Sequence, residues 1–245
     1  MLWLGLVFAA SAAELHLYTE ESPPLNFLQD NRPHGLAVDL VEALAQRSGD
    51  TIRISLGPWT RGYQAAQSQA DTAIFSTVRT AERETKFQWV GPILLGRTSF
   101  YSLKSAGLQI DSLAAAAQSG PLAVPKQWYT YETLAAHGFT NLYQVPGSRQ
   151  MVTMLKHGRV KLIATDDVTL REELAMGGLT PEEVQVQLTF MRSAYYIAFS
   201  LQTSPAVVAQ WQRQLDAMRG DGSFERIFRR WLPEAPLPPL PADLK

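Results

Sequence analysis

Residues 15–56 read LHLYTEESPPLNFLQDNRPHGLAVDLVEALAQRSGDTIRISL, and the order of patterns in that stretch decides the architecture. Leu15-His16-Leu17-Tyr18 alternates as a strand does, and Pro23-Pro24 turns the next residues into a loop. Gly35 precedes Leu36, Leu40, Val41 and Leu44, the i, i+4, i+5, i+8 spacing of a helix with one buried face. Gly49-Asp50 ends that helix, and Ile52, Ile54 and Leu56 alternate as a second strand. Strand, helix, strand within this length is a βαβ unit, which requires parallel pairing and a right-handed crossover. Thr72 to Phe75 adds a short buried strand, so the first third predicts an α/β lobe.

A second lobe of the same plan comes next. Pro121-Leu122-Ala123-Val124 reads as a strand, Ser148 caps a helix carrying Val152 and Leu155, and Gly158 stops it. Val160, Leu162 and Ile163 then form a strand ending at Thr165-Asp166-Asp167. The chain then returns to the first lobe. Tyr195 to Leu201 is strand-like, and Ser204-Pro205 opens a helix bearing Val208, Trp211, Leu215 and Met218. Gly220-Asp221-Gly222 ends it, and Phe224 to Trp231 predicts a last amphipathic helix. Five prolines between Pro233 and Pro241 predict an extended, solvated tail over residues 233–245.

Composition narrows the function. Of 245 residues, 46% are hydrophobic and 18% charged, ordinary for a chain that buries a full core. A net charge of −1 gives no overall field for nucleic acid or an anionic membrane. The Arg226, Arg229, Arg230 group reads as a solvated helix face. There is no cysteine, which excludes disulfides, thiolate metal sites and cysteine nucleophiles. The four histidines lack any HxH or HExxH spacing, so no metal and no cofactor is expected. Met1 to Phe8 is an unbroken apolar run followed by Ala9-Ala10-Ser11-Ala12-Ala13, which predicts a signal peptide over residues 1–13. The run is too short to span a bilayer, which needs roughly 20 apolar residues. No Lys or Arg precedes it.

Several segments, taken in order, resemble the family 3 periplasmic solute-binding proteins, the polar amino-acid receptors of ABC transporters. They are Glu21-Ser22-Pro23-Pro24, Gly35-Leu36-Ala37-Val38-Asp39-Leu40-Val41, and Arg79-Thr80-Ala81-Glu82-Arg83-Glu84 with Phe87 and Gly91-Pro92. Later come Leu155-Lys156-His157-Gly158-Arg159-Val160, Tyr196-Ile197-Ala198-Phe199-Ser200, and Trp211 through Gly222-Ser223-Phe224 to Trp231. The resemblance implies a type II periplasmic binding protein fold, two α/β lobes joined by two hinge strands. The expected boundaries are 14–103 with 195–232 for lobe 1 and 104–194 for lobe 2, with crossovers near Leu103–Ala106 and Met191–Tyr195.

The resemblance also implies a ligand site in the cleft. The arginine of the T-x-x-R element, here Arg83, would grip a ligand carboxylate through two parallel charge-assisted hydrogen bonds. Thr80, at the expected start of a short helix, would add a hydroxyl and free N–H groups. The alternative for Arg83 is a surface pair with Glu82 or Glu84. Arg79 is either a second anion contact or a solvated strand end. Ser76 and Thr77 would offer donors at a strand end, and Asp166 would pair with a ligand ammonium, with Asp167 the alternative because one residue reverses side-chain direction. Trp59 and Phe27 would wall the cleft, with Tyr129 and Thr130 from the second lobe. Glu20 and Glu21 are loop charges that could meet a cationic side chain.

The expected function is capture of a small polar ligand, an amino acid, by hinge closure. A monomeric periplasmic receptor would hand it to an ABC permease in the inner membrane. The resemblance allows two rivals on the same scaffold. One is a cyclohexadienyl-dehydratase-like enzyme, which needs a desolvated Glu or Asp as general acid, with Glu20, Glu21 or Asp166 the candidates. The other is a sensory module that presents its ligand to a membrane receptor. No nucleophile elbow, GxGxxG or P-loop pattern is present in the sequence, so the chain is not expected to be an enzyme.

Overall fold

A computed structural model of the chain describes residues 14–238. The expected signal peptide, residues 1–13, lies outside the described residues, as does the end of the proline-rich tail. The opening stretch folds as its pattern predicts. Strand β1 (Glu14–Thr19) leads through a small hairpin, β2 (Phe27–Gln29) and β3 (Arg32–His34), into helix α1 (Leu36–Ser48) and strand β4 (Thr51–Leu56). β1 and β4 pair in parallel, Leu15 with Ile52 and Leu17 with Ile54. Gly35 turns the chain into α1 at φ 127, and a Cβ there would collide with the Leu25 carbonyl. Only glycine satisfies both demands.

Helix α2 (Trp59–Ser68) and strand β5 (Thr72–Val78) complete that half, and β5 joins the other edge of β1. The chain then runs through β6 (Gln88–Leu103) into a second set of elements. These are α3 (Leu113–Gln118), β7 (Leu122–Pro125), α4 (Tyr129–Ala136), β8 (Leu142–Val145), α5 (Ser148–Lys156), β9 (Leu162–Asp166) and α6 (Leu170–Gly177). It returns through β10 (Val184–Phe199) to α7 (Pro205–Gly220) and α8 (Ser223–Trp231).

The strands form one eight-stranded sheet in the order β4-β1-β5-β10-β6-β9-β7-β8. Its middle is the antiparallel pair of long strands, β6 and β10, which serve both halves in turn. β10 pairs with β5 over Tyr195–Phe199, whereas β6 pairs with β9 over Thr98–Tyr101. Around Gly96 and Ser193, which face each other across the pair, the sheet narrows to these two strands. The first passage between halves therefore falls near Gly96, upstream of the expected Leu103–Ala106. The sequence hides this because Gly91-Pro92 punctuates a strand that in fact continues. Pro92 falls where the β6–β10 register shifts, between Leu94 and Val90, an irregularity that accommodates a residue without an N–H.

Each half buries its own core. α1, α7 and α8 pack together through Leu40, Leu44, Trp211, Leu215, Phe224 and Phe228, and the Trp211 indole donates to Asp50 at 2.7 Å. The return to the first half thus rests on apolar burial of one helix layer against another. The second half has clusters on both sheet faces, around Val152, Leu155 and Ile163 and around Phe100, Val124 and Leu134. The start of the tail departs from expectation. Ala235 and Leu237 pack on the first core, and Arg229 donates to the carbonyls of Pro233 and Ala235, so residues 233–238 fold back instead of extending into solvent.

Candidate functional site

The ends of β1, β5 and β9 and the starts of α2, α4 and α6 converge between the two halves on a cavity of about 40 Å³. The two halves touch beside it, Arg83 against Glu132 and Trp59 against the Gln127 carbonyl.

Arg83 is the cation among the described residues that line it. The chain leaves β5, turns with the Arg83 N–H bonded to the Thr80 carbonyl at 3.1 Å, and enters a three-residue 3-10 turn, Glu84–Lys86. The side chain is 1% exposed. Its Nε donates to Glu132 Oε2 at 2.6 Å and its Nη2 to the Gln127 carbonyl at 2.9 Å, both from the second half. Its guanidinium lies 5.2 Å from the Trp59 ring centroid and 5.1 Å from that of Tyr63. The surface pairing with Glu82 or Glu84 is thus not what the structure shows. Arg79 takes Glu84 instead, at 2.7 Å, and stacks over Trp89 and Tyr196.

Opposite Arg83 are carboxyl groups. Asp166 closes β9, is 1% exposed and lines the cavity; its Oδ1 accepts from the Val168 N–H at 3.0 Å. Burial pushes it up to about 7. Asp167 turns the other way and pairs with Arg97 at 3.0 Å, as alternation along a strand end requires. Glu173 reaches the cavity from α6, held by the hydroxyls of Thr165 at 2.7 Å and Thr169 at 3.0 Å. Burial pushes it up to about 7 as well. Glu20, just past β1, lines the same cavity, and burial raises it to about 8, with the Glu173 charge adding to the shift. Glu21 is exposed and is not part of the lining.

The other expected contacts divide. Ser76 lines the cavity at φ 57, its hydroxyl bonded to Asn26. Trp59 lines it from the first turn of α2 and donates to the Gln127 carbonyl at 2.9 Å, so it serves cleft and core at once. Tyr129 lines it too, its hydroxyl 3.0 Å from that of Thr98. Thr77, Thr80, Thr130 and Phe27 do not line it. Thr77 points to the opposite face of β5 and bonds the Ile74 carbonyl. Thr130 is one helical position, about 100°, round from Tyr129. Thr80 lines a neighbouring groove with Glu82, His137 and Phe190, because a turn replaces the expected helix start. Phe27 packs edge-on against Trp231 at 5.8 Å on the outer hairpin.

Glu173, Trp128, Thr169 and Tyr195 belong to no motif that points to a ligand, yet all line the cavity. The four-residue spacing Thr165, Thr169, Glu173 is the one pattern that marks any of them. Gln127 is a further surprise. It holds φ 58, and that left-handed turn aims its carbonyl across the cleft at both Trp59 and Arg83. Among the described residues, no group of three or more His, Asp or Glu is placed to hold a metal ion. No described helix is long and apolar enough to cross a membrane.

Comparison with known proteins gives consistent matches. A family model for bacterial extracellular solute-binding proteins, family 3, matches residues 15–234. The L-cystine-binding protein TcyA of Bacillus subtilis (strain 168) is 21% identical over 82% of this chain and 73% of its own length. Among solved structures, a histidine kinase sensor domain with similarity to periplasmic binding proteins superposes with a TM-score of 0.82 at 18% identity, covering 91% of this chain and 97% of its own. The arginine-, lysine-, histidine-binding protein ArtJ of Geobacillus stearothermophilus superposes at 0.78 with 16% identity, covering 91% and 96%. These structures share the type II periplasmic binding protein fold.

Proposed function

The chain belongs to the bacterial extracellular solute-binding proteins, family 3, and from that premise we propose that it captures a small polar ligand, an amino acid or a near relative, by closing its two lobes over it. The observation that carries this reading is the meeting of charged groups from both lobes on one shared gap. Arg83 of the first lobe touches Gln127 and Glu132 of the second, with Asp166 lining the same space. Groups so divided come together only when the lobes close, which ties occupancy to hinge angle. The lobes divide near the β6–β10 narrowing, and the ligand contacts are Arg83, Asp166, Ser76, Trp59 and Tyr129. The receptor works as a monomer in the periplasm and passes its ligand to an ABC permease. A thermal-shift screen of amino acids, dicarboxylates and polyamines tests it, because tight binding raises the melting point by mass action. Small-angle scattering should show the molecule contract on adding any hit. A screen without a hit, or a hit without contraction, refutes the reading.

One observation favours a second reading. A dehydratase needs a carboxyl that keeps its proton near neutrality, and burial raises Glu20, Asp166 and Glu173 to about 8, 7 and 7. Incubation with prephenate or arogenate, with absorbance of the aromatic product as the readout, decides it. Absence of turnover removes the enzyme reading.

A further inference from the structure

The cleft does not carry the balanced charges that a zwitterion alone would call for. Three carboxyl side chains line it, Glu20, Asp166 and Glu173, against the single cation Arg83. Arg83 is already answered within the protein. Its Nε is taken by Glu132 and its Nη2 by the Gln127 carbonyl, and Trp59 and Tyr63 flank its guanidinium. Among the described residues none of the three lining carboxyls forms an ion pair. Asp166 is wholly enclosed where it lines the cavity, and its Oδ2 is buried without a hydrogen-bond partner. Glu173 is held in place by two threonine hydroxyls, which orient a carboxyl without neutralising it.

Buried carboxyl groups without an ion-pair partner are costly, and a positive ligand relieves that cost while a neutral one leaves it standing. The lining also carries four aromatic side chains, Trp59, Trp128, Tyr129 and Tyr195, a residue type that attracts ammonium and guanidinium groups.

Resting on the receptor reading above, we propose that the cleft selects an organic dication, a molecule with two positive nitrogen centres, one seated between Glu20 and Glu173 and the other on Asp166. Glu132 already balances the charge of Arg83, so Arg83 can contact a ligand without requiring it to carry a carboxylate. Basic amino acids and short aliphatic diamines share this chemistry, and the experiment separates them.

Calorimetric titration of the full chain at pH 8 with lysine, arginine, 1,4-diaminobutane, glutamine and glutamate tests the proposal. At least one dication should bind about tenfold or more tightly than glutamine, and glutamate should not bind, given the worth of a buried charge pair. Binding of diaminobutane alongside lysine confirms that no carboxylate is needed; binding of lysine alone assigns the site to basic amino acids and overturns the role given to Glu132. In Glu173→Gln the preference for the dication over glutamine should fall by about tenfold, and Glu20→Gln, at an independent position, should do the same. A preference unchanged in both variants, or glutamine or glutamate bound as tightly as any dication, overturns the proposal and leaves the receptor reading intact. If none of the five ligands binds and the wider screen also gives no hit, the receptor reading falls and the proposal with it.

Discussion

Replacing Arg83 by Met takes from the closed cleft a 2.6 Å charge-assisted bond to Glu132, a 2.9 Å bond to the Gln127 carbonyl and the approach of the guanidinium to two aromatic rings. Breaking a fully buried pair costs about 3–5 kcal/mol, because one charge is left stranded. The side chain of Glu132 is 18% exposed, so its orphaned carboxylate regains some water and the cost lies at the lower end. The Gln127 carbonyl keeps its bond from Trp59. A loss of about 3 kcal/mol is therefore expected, or about 6–12 °C in melting temperature for a chain of this size. Glu132→Gln retains an acceptor oxygen and should cost about 1–2 kcal/mol. If the two side chains meet in solution as they do here, the double variant should be less destabilised than the sum of the singles by about 1.5–2.5 kcal/mol. Urea denaturation monitored by tryptophan fluorescence reads all four corners of the cycle, with Trp59 as a reporter beside the site. Additivity to within about 0.5 kcal/mol would mean that Arg83 and Glu132 are not in contact, and the charge argument for the cleft would lose its first step.

Glu20, Asp166 and Glu173 all have raised values in the folded protein, so the native state holds protons that the unfolded chain has already released. Stability should then be highest near pH 5 and decline as pH rises through about 7 to 8; a melting temperature flat or rising over that interval refutes the burial of these groups. Glu173→Gln keeps both threonine contacts and removes the ionisation, so it should raise the melting temperature at pH 8.5 and leave it nearly unchanged at pH 5. A loss at both values would show that Glu173 matters for shape and not for charge. Gly96→Ala should abolish ligand binding in the same calorimetric titration, since a Cβ there collides with the Asp166 carboxylate; retained affinity would displace Asp166 from its assigned place.

The alternation in β1 and the helical spacing of α1 make the first lobe readable, because there the apolar positions Leu15, Leu17, Leu36, Leu40, Val41 and Leu44 are the buried ones. Arg83 and Asp166 are readable through the motifs they close. Glu173 is not. It stands after Glu172 in a helix whose sequence, LREELAMG, looks solvent-facing, and only packing of α6 on β9 decides which of the two turns inward. Gln127 is equally hidden, since its contribution is a backbone carbonyl aimed by a left-handed turn that no glycine announces. Thr77, Thr80 and Thr130 fall outside the cavity lining for a different reason. Each sits next to a lining residue or turn in sequence but faces elsewhere, because adjacent positions on a strand or helix point in different directions.

The Asp166 carboxylate lies directly against Gly96, at the waist where the sheet is only β6 and β10 wide. β10 slips register on either side of that point, between Thr189 and Met191 and between Tyr195 and Ile197, so the narrow ribbon is bounded by irregularities at both ends. Under the proposed role of Asp166, the group that would meet the ligand's charge also rests against this waist. Filling the pocket would then press on the joint directly, with no relay of intervening side chains between cargo and axle.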